Sequence, residues 1–251
     1  RYQSGEITKE HTELISTEIR GGIFQGVEAY NRTGDLTIST DIEISILGNA
    51  KVKRANPAGM SAYNYMSNGY GLINGVSTVN VGGNAYVAAI FLGNTPTMNG
   101  NVYINISGGQ VDLIRPNMSN DNGRFYGNLV IHYTGGTLGK IEQNRTVTAS
   151  NVILVSPEGK HNFGIDATTS ITKLVTYSGD GVATVKFVEE DGISEPATNA
   201  ISNAHKRTTG KLILTSEKAR KAIINGGEPI DLIDGTATVD LPEEQNVNIV
   251  F

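Results

Sequence analysis

Over much of the first two thirds of the chain, apolar and polar residues alternate with a period of two. In DLTISTDIEISILGNAKVKRA, Asp35 to Ala55, the residues Leu36, Ile38, then Ile42, Ile44 and Ile46 alternate with polar partners. That is the pattern of a half-buried β-strand, and the density of β-branched residues excludes a helix there. The alternation recurs in matched lines. GNVYINISGGQVDLIRPN, Gly100 to Asn117, returns 27 residues later as GNLVIHYTGGTLGKIEQN, Gly127 to Asn144. Gly82-Gly83 precede Gly108-Gly109 by 26 residues, and SNVILVSPEGK, Ser150 to Lys160, continues the register more loosely. A period between 20 and 50 residues, with short apolar strands and glycine turns, predicts a solenoid in which each repeat buries its apolar edge against its neighbours.

The alternation also sorts side chains. Val102, Ile104 and Ile106 are expected to face inward with Leu129, Ile131 and Tyr133 stacked on them, one strand spacing of roughly 4.8 Å apart. Tyr103, Asn105, Val130 and His132 are then expected on the outer face. The double glycines supply the positive-φ corner between one sheet of a coil and the next. Coils of about 27 residues from Gly21 to about Asp166 give roughly five or six turns. The predicted class is therefore all-β, with a parallel solenoid over residues 1–170.

Two segments break the pattern. Arg54 to Gly71, RANPAGMSAYNYMSNGYG, has no period and is expected to belong to a loop of residues 54–74 inserted between coils. Residues 171–251 read as strands and hairpins with one short helix, Thr215 to Ile224, capped by Ser216. They are expected to form a β-rich module or cap that packs on the solenoid or follows it.

Composition narrows the chemistry. The 251 residues include no cysteine, so disulfides, thiolate metal sites and a cysteine nucleophile are excluded. The net charge of -5, from 20 basic and 25 acidic residues, argues against a general affinity for nucleic acid or anionic membrane. No apolar run reaches the roughly 18 residues of a membrane-spanning helix. The chain opens at Arg1 without a methionine, which points to a processed protein or a piece of a longer one. Between Ile44 and Val111 there is no Asp or Glu at all.

That gap bears on catalysis. A glycoside hydrolase of the parallel β-helix type needs two carboxylates on neighbouring strands. Asp112 and Asp121 are the only acids in the heart of the stack. A lyase needs an Arg or Lys base and usually calcium held by several oxygens, a role for which Arg115, Arg124, Asp112 and Asp121 are the available residues. The four histidines, His11, His132, His161 and His205, lack the spacing of a metal site or a catalytic triad. The sequence calls for no metal, cofactor or nucleotide.

What remains is a surface. Seven of the ten tyrosines lie between Tyr63 and Tyr133, in the stretch with fewest charges. Aromatic rings pack on the apolar faces of sugar rings while amides and hydroxyls satisfy their rims. Tyr63, Tyr65 and Tyr70 in the inserted loop, with Tyr103, Phe125 and Tyr126, are the candidate binding residues.

The line G-N-[VL]-x-I-x-[IY]-[ST]-G-G-x-[VL] at Gly100 and Gly127 resembles repeats of secreted right-handed β-helix proteins of Gram-positive bacteria, including large adhesins. A β-helix interrupted by an aromatic-rich loop also resembles the cellulose-adhering tāpirin surface proteins. The resemblance implies a right-handed parallel β-helix, an extracellular or cell-surface location and attachment to insoluble polysaccharide without catalysis. The alternatives are a polysaccharide lyase or hydrolase acting at Asp112, Arg115 and Asp121, and a structural stalk of an adhesin or phage tail spike.

Overall fold

The computed structural model describes residues 15–24, 27–28, 37–38, 41–53, 55–58, 72–92, 97–115, 124–142, 151–160, 164–165, 171–189 and 208–251. The described chain is all-β and mostly parallel. Its longer strands are β1 (Ile15–Ile19), β2 (Ile42–Ile46), β3 (Ser77–Val81), β4 (Val102–Arg115), β5 (Asn128–Ile141), β6 (Asn151–Pro157), β7 (Lys173–Ser178), β8 (Val182–Glu189), β9 (Thr208–Thr215), β10 (Lys221–Ile224), β11 (Thr236–Asp240) and β12 (Asn246–Val250).

The strands β1 to β7, followed by β12, pair in parallel, each with the next. The inward residues line up as the alternation predicts. Val102, Ile104 and Ile106 pair with Leu129, Ile131 and Tyr133. Ile44, Val79, Ile104, Ile131 and Leu154 form one column through five strands, each no more than 2% exposed. Burying one such aliphatic side chain is worth about 1.5–3 kcal/mol, so the columns supply most of the drive for stacking.

Partners on neighbouring strands are 27 residues apart between β4 and β5, but 35 between β2 and β3, 25 between β3 and β4, 23 between β5 and β6, and 20 between β6 and β7. The long step carries the insertion. That insertion is shorter than residues 54–74: Ala55–Ala58 is a strand beside Val27–Glu28 and Ile90–Leu92, and Leu72–Ile73 is a strand beside Thr37–Ile38 and Thr97–Met98. Both stems are therefore built into parallel ladders. A fourth strand, Arg124–Phe125, completes the second of these.

Glycine does two jobs here. Gly48, Gly83, Gly109 and Gly136 hold φ between 60° and 73°, the left-handed conformation, at the corner that follows the first ladder. Gly75, Gly100 and Gly127 stack so closely that a Cβ on Gly100 would lie 1.9 Å from the Gly75 carbonyl oxygen, and one on Gly127 2.1 Å from that of Gly100.

The outer face of the ladder changes character along the stack. One outward column runs Glu43, Thr78, Tyr103, Val130, Ile153, and the next runs Ser45, Asn80, Asn105, His132, Val155, Val175. The apolar part needs cover, and the C-terminal residues provide it. Strands β8, β9 and β11 form an antiparallel sheet, whose Ala183, Val185, Leu212 and Leu214 share a second core with Tyr103, Val130, Ile153, Val155 and Val175. The expected open outer face at Tyr103, Val130 and His132 is thus corrected: these residues are 9%, 0% and 8% exposed.

The helix expected over 215–224 is absent. Ser216 Oγ does accept the N–H groups of Lys218 and Ala219, as a cap would. The turn stops there because Ile223 and Ile224 pair with Val250 and Ile249 of β12, and strand pairing in the core outweighs a weak local helix preference. This antiparallel partner lies on the last strand of the parallel ladder.

Candidate functional site

The polar residues of the outer face form a directed hydrogen-bond chain. The Val185 N–H donates to His132 Nε2 at 3.0 Å. An imidazole whose Nε2 accepts carries its proton on Nδ1, and that N–H faces Asn105 Oδ1 at 2.8 Å. Asn105 Nδ2 donates to Asn80 Oδ1 at 2.8 Å, and Asn80 Nδ2 donates to Glu43 Oε1 at 2.8 Å and to Ser45 Oγ at 3.0 Å. Every donor points the same way, toward the Glu43 carboxylate. Burial pushes the His132 imidazole down to about 4, and a proton on Nε2 would displace the Val185 bond. Beside it, the Tyr103 ring lies parallel to the imidazole with centroids 6.3 Å apart. The Phe187 N–H donates to Tyr103 Oη at 2.9 Å, and burial raises the phenol pKa. His132 and Tyr103 thus act as side-chain acceptors for the edge of β8, satisfying backbone donors that face the ladder.

The residues considered for catalysis are tied from strand to strand. Tyr86 Oη donates to Asp112 Oδ2 and Gln110 Nε2 to Asp112 Oδ1, both at 2.6 Å. The hydrogen bond to Asp112 raises the Tyr86 phenol. Arg115 Nε donates to Glu142 Oε1 at 2.9 Å, and Lys140 together with Arg115 holds the Glu142 carboxyl below its ordinary range. Asp112 and Arg115 therefore sit in separate pairings, each reaching a neighbouring strand. Asp121 lies outside the described residues, as do His11, His161 and His205; the backbone of Arg124 is a ladder strand. Among the described residues no three His, Asp or Glu side chains converge as metal ligands would, and no helix is long and apolar enough to cross a membrane.

The candidate binding residues divide. Tyr63, Tyr65 and Tyr70 lie outside the described residues. Tyr103 is buried beneath β8, and Phe125 is 4% exposed within the main core, so neither offers a ring to a ligand. Tyr126 is half-buried at the strand end beside Gly127. The four-stranded ladder sets Leu72, Thr97 and Arg124 in register, which brings the C-terminal stem of the insertion within two strand spacings of Tyr126, roughly 10 Å.

Reading the sequence residue by residue missed the pairings Tyr86–Asp112 and Arg115–Glu142. Their signal is the period itself, since the partners are 26 and 27 residues apart. Comparison with family models, curated proteins and solved structures finds no match to this chain.

Proposed function

We propose that the chain is a non-catalytic adhesion module, a right-handed parallel β-helix that works outside the cell and holds its bearer to an insoluble polysaccharide such as cellulose. The observation that carries this reading is how the ionisable side chains of the central strands are used. Asp112, Arg115, Glu142 and His132 each bond to a neighbouring strand, an arrangement that stiffens a scaffold. A general acid or base has to reach a substrate. The successive parallel registers with glycine at the corners are those a solenoid requires.

The glycan contact is assigned to the loop between Ala58 and Leu72, with Tyr63, Tyr65 and Tyr70 as stacking rings and Tyr126 about two strand spacings from its C-terminal stem. The strands on either side of it, Ala55–Ala58 and Leu72–Ile73, are paired in the ladders, and binding residues are often carried between such scaffold strands. A pull-down on microcrystalline cellulose and a panel of other insoluble glycans tests the assignment. The wild type should sediment with at least one of them, and the Tyr63→Ala/Tyr65→Ala/Tyr70→Ala variant should lose about tenfold or more in retention at unchanged melting temperature, in line with about 0.5 kcal/mol or more for each of the three lost stacking contacts. Wild-type protein that stays in the supernatant with every glycan contradicts the reading.

A further inference from the structure

At the C-terminal end of the ladder, a shallow cleft of about 660 Å³ opens between the turn after β7 and the turn before β10. We propose that it binds a carboxylated sugar ring, a uronate residue of an acidic polysaccharide. This rests on the polysaccharide-binding reading and assigns a second contact, separate from the tyrosine loop.

One wall is aromatic. The Phe251 N–H donates to the Ser178 carbonyl at 3.0 Å, which lays the residue across Gly179 and Gly181. Both glycines are required there: a Cβ on Gly179 would stand 2.5 Å from the Phe251 carbonyl oxygen, and one on Gly181 2.3 Å from its ring. The ring meets Tyr177 at 87° with centroids 6.5 Å apart. Backed by these contacts, Phe251 remains half-exposed on the cleft side. A fixed aromatic face of this kind takes the C–H face of a pyranose.

The other wall is cationic. Ser216 Oγ donates to the Asp180 carbonyl and accepts from Lys218 and Ala219 N–H, so the turn that carries Lys218 and Arg220 and leads into Lys221 of β10 is held against Gly179 and Asp180. Among the lining side chains these three cations face one carboxylate, that of Asp180. Lys218 lies 3.5 Å from Asp180, and Lys221 lies 3.4 Å from Asp231. Both pairs are well exposed, so each is weak and open to exchange. Arg220 is exposed and makes no ion pair among the described residues. Its planar guanidinium is suited to bidentate recognition of a carboxylate. An aromatic face beside an available guanidinium and two exchangeable ammonium groups matches a sugar that has both an apolar ring face and a negative edge. The volume falls within the range of small-ligand sites.

Calorimetric titration of the whole chain with a galacturonate trisaccharide, its methyl ester and inorganic phosphate tests this. The acid trisaccharide should bind at least tenfold more tightly than the neutral ester, and phosphate more weakly still, because it has no ring to stack. Arg220→Gln should cost about tenfold or more for the acid ligand and leave the ester unchanged, as expected for loss of a charge-assisted pair. Retention of Arg220→Gln on the neutral insoluble glycan that holds the wild type should not change. Equal binding of acid and ester, binding of phosphate as tight as that of the trisaccharide, or an Arg220→Gln titration identical to wild type would each overturn the proposal. Failure of the tyrosine loop shows up separately, as loss of sedimentation with an intact acid titration.

Discussion

Gly100→Ala is expected to cost on the order of 4 kcal/mol or more, a large part of the roughly 5–15 kcal/mol by which a domain is ordinarily stable. The added methyl would stand 1.9 Å from the Gly75 oxygen and 2.7 Å from its carbonyl carbon. Both are backbone atoms of the preceding strand passage, so no rotamer change relieves the clash. The ladder can respond only by separating Gly100 from Gly75, which breaks register next to Val102 and Ile104, two residues with no exposed surface. Gly127→Ala should behave similarly, since its methyl would meet the Gly100 oxygen at 2.1 Å. Gly21→Ala is the control: a Cβ there meets nothing within 4 Å, and the change should stay within about 0.5 kcal/mol. Denaturant midpoints of the three variants measure this, and a Gly100→Ala midpoint close to that of Gly21→Ala would show that the strands are not packed this closely.

The second large effect is acid destabilisation through His132. The imidazole has a pKa of about 4 in the folded chain against 6.5 when unfolded. As the folded value is the lower one, the unfolded chain takes up this proton first as pH falls. The stabilisation is complete above about pH 6.5 and is lost progressively down to about pH 4, amounting to about 3 kcal/mol over the whole window. The groups facing the ring are the Tyr103 phenol, the Asn105 amide and the Val185 N–H, none of which carries charge in that range. Asn80 and Asn105 stand between the ring and Glu43. In His132→Gln the amide can still accept from Val185 without titrating, so stability should fall less steeply between pH 6.5 and 4 than in the wild type. Unfolding curves at a series of pH values give the difference, in which the carboxylates common to both proteins cancel. Parallel pH profiles would show that His132 titrates equally in both states.

Much of the ladder is legible in the sequence because its causes are local. Alternation marks Val102, Ile104 and Ile106 as inward, and the second glycine of each pair marks the corner, since only a residue without a Cβ holds that φ without cost. The covered outer face is harder to read. Alternation separates one side of a strand from the other, but it does not say whether the outer side meets water. The signal lies across strands: the outward column changes from Glu43 and Thr78 to Val130 and Ile153, and that drift from polar to apolar requires a cover. Tyr103 and His132 look like surface residues because each has a polar end. In the fold those ends accept the N–H groups of Phe187 and Val185. Residues 216–224 mislead because Ser216 forms a genuine capping turn, while the fate of Ile223 and Ile224 is decided by Val250 and Ile249 far along the chain.

The in-register parallel stacking on which the β-helix and adhesion proposals rest is open to one direct measurement. The natural chain has no cysteine, so a pair introduced at Gln110 and Thr137 reports on their register alone. These exposed residues face each other on β4 and β5, roughly 4.8 Å apart and within disulfide range. Lys51 stands in the same column, joined through Tyr86 to Gln110, and is three spacings, roughly 14 Å, from Thr137. Under mild oxidation, with products read by intact mass and peptide mapping, Gln110→Cys/Thr137→Cys should close an intramolecular disulfide and Lys51→Cys/Thr137→Cys should stay reduced. A Gln110→Cys/Thr137→Cys protein that stays reduced while the Lys51→Cys/Thr137→Cys protein closes would contradict the stacking.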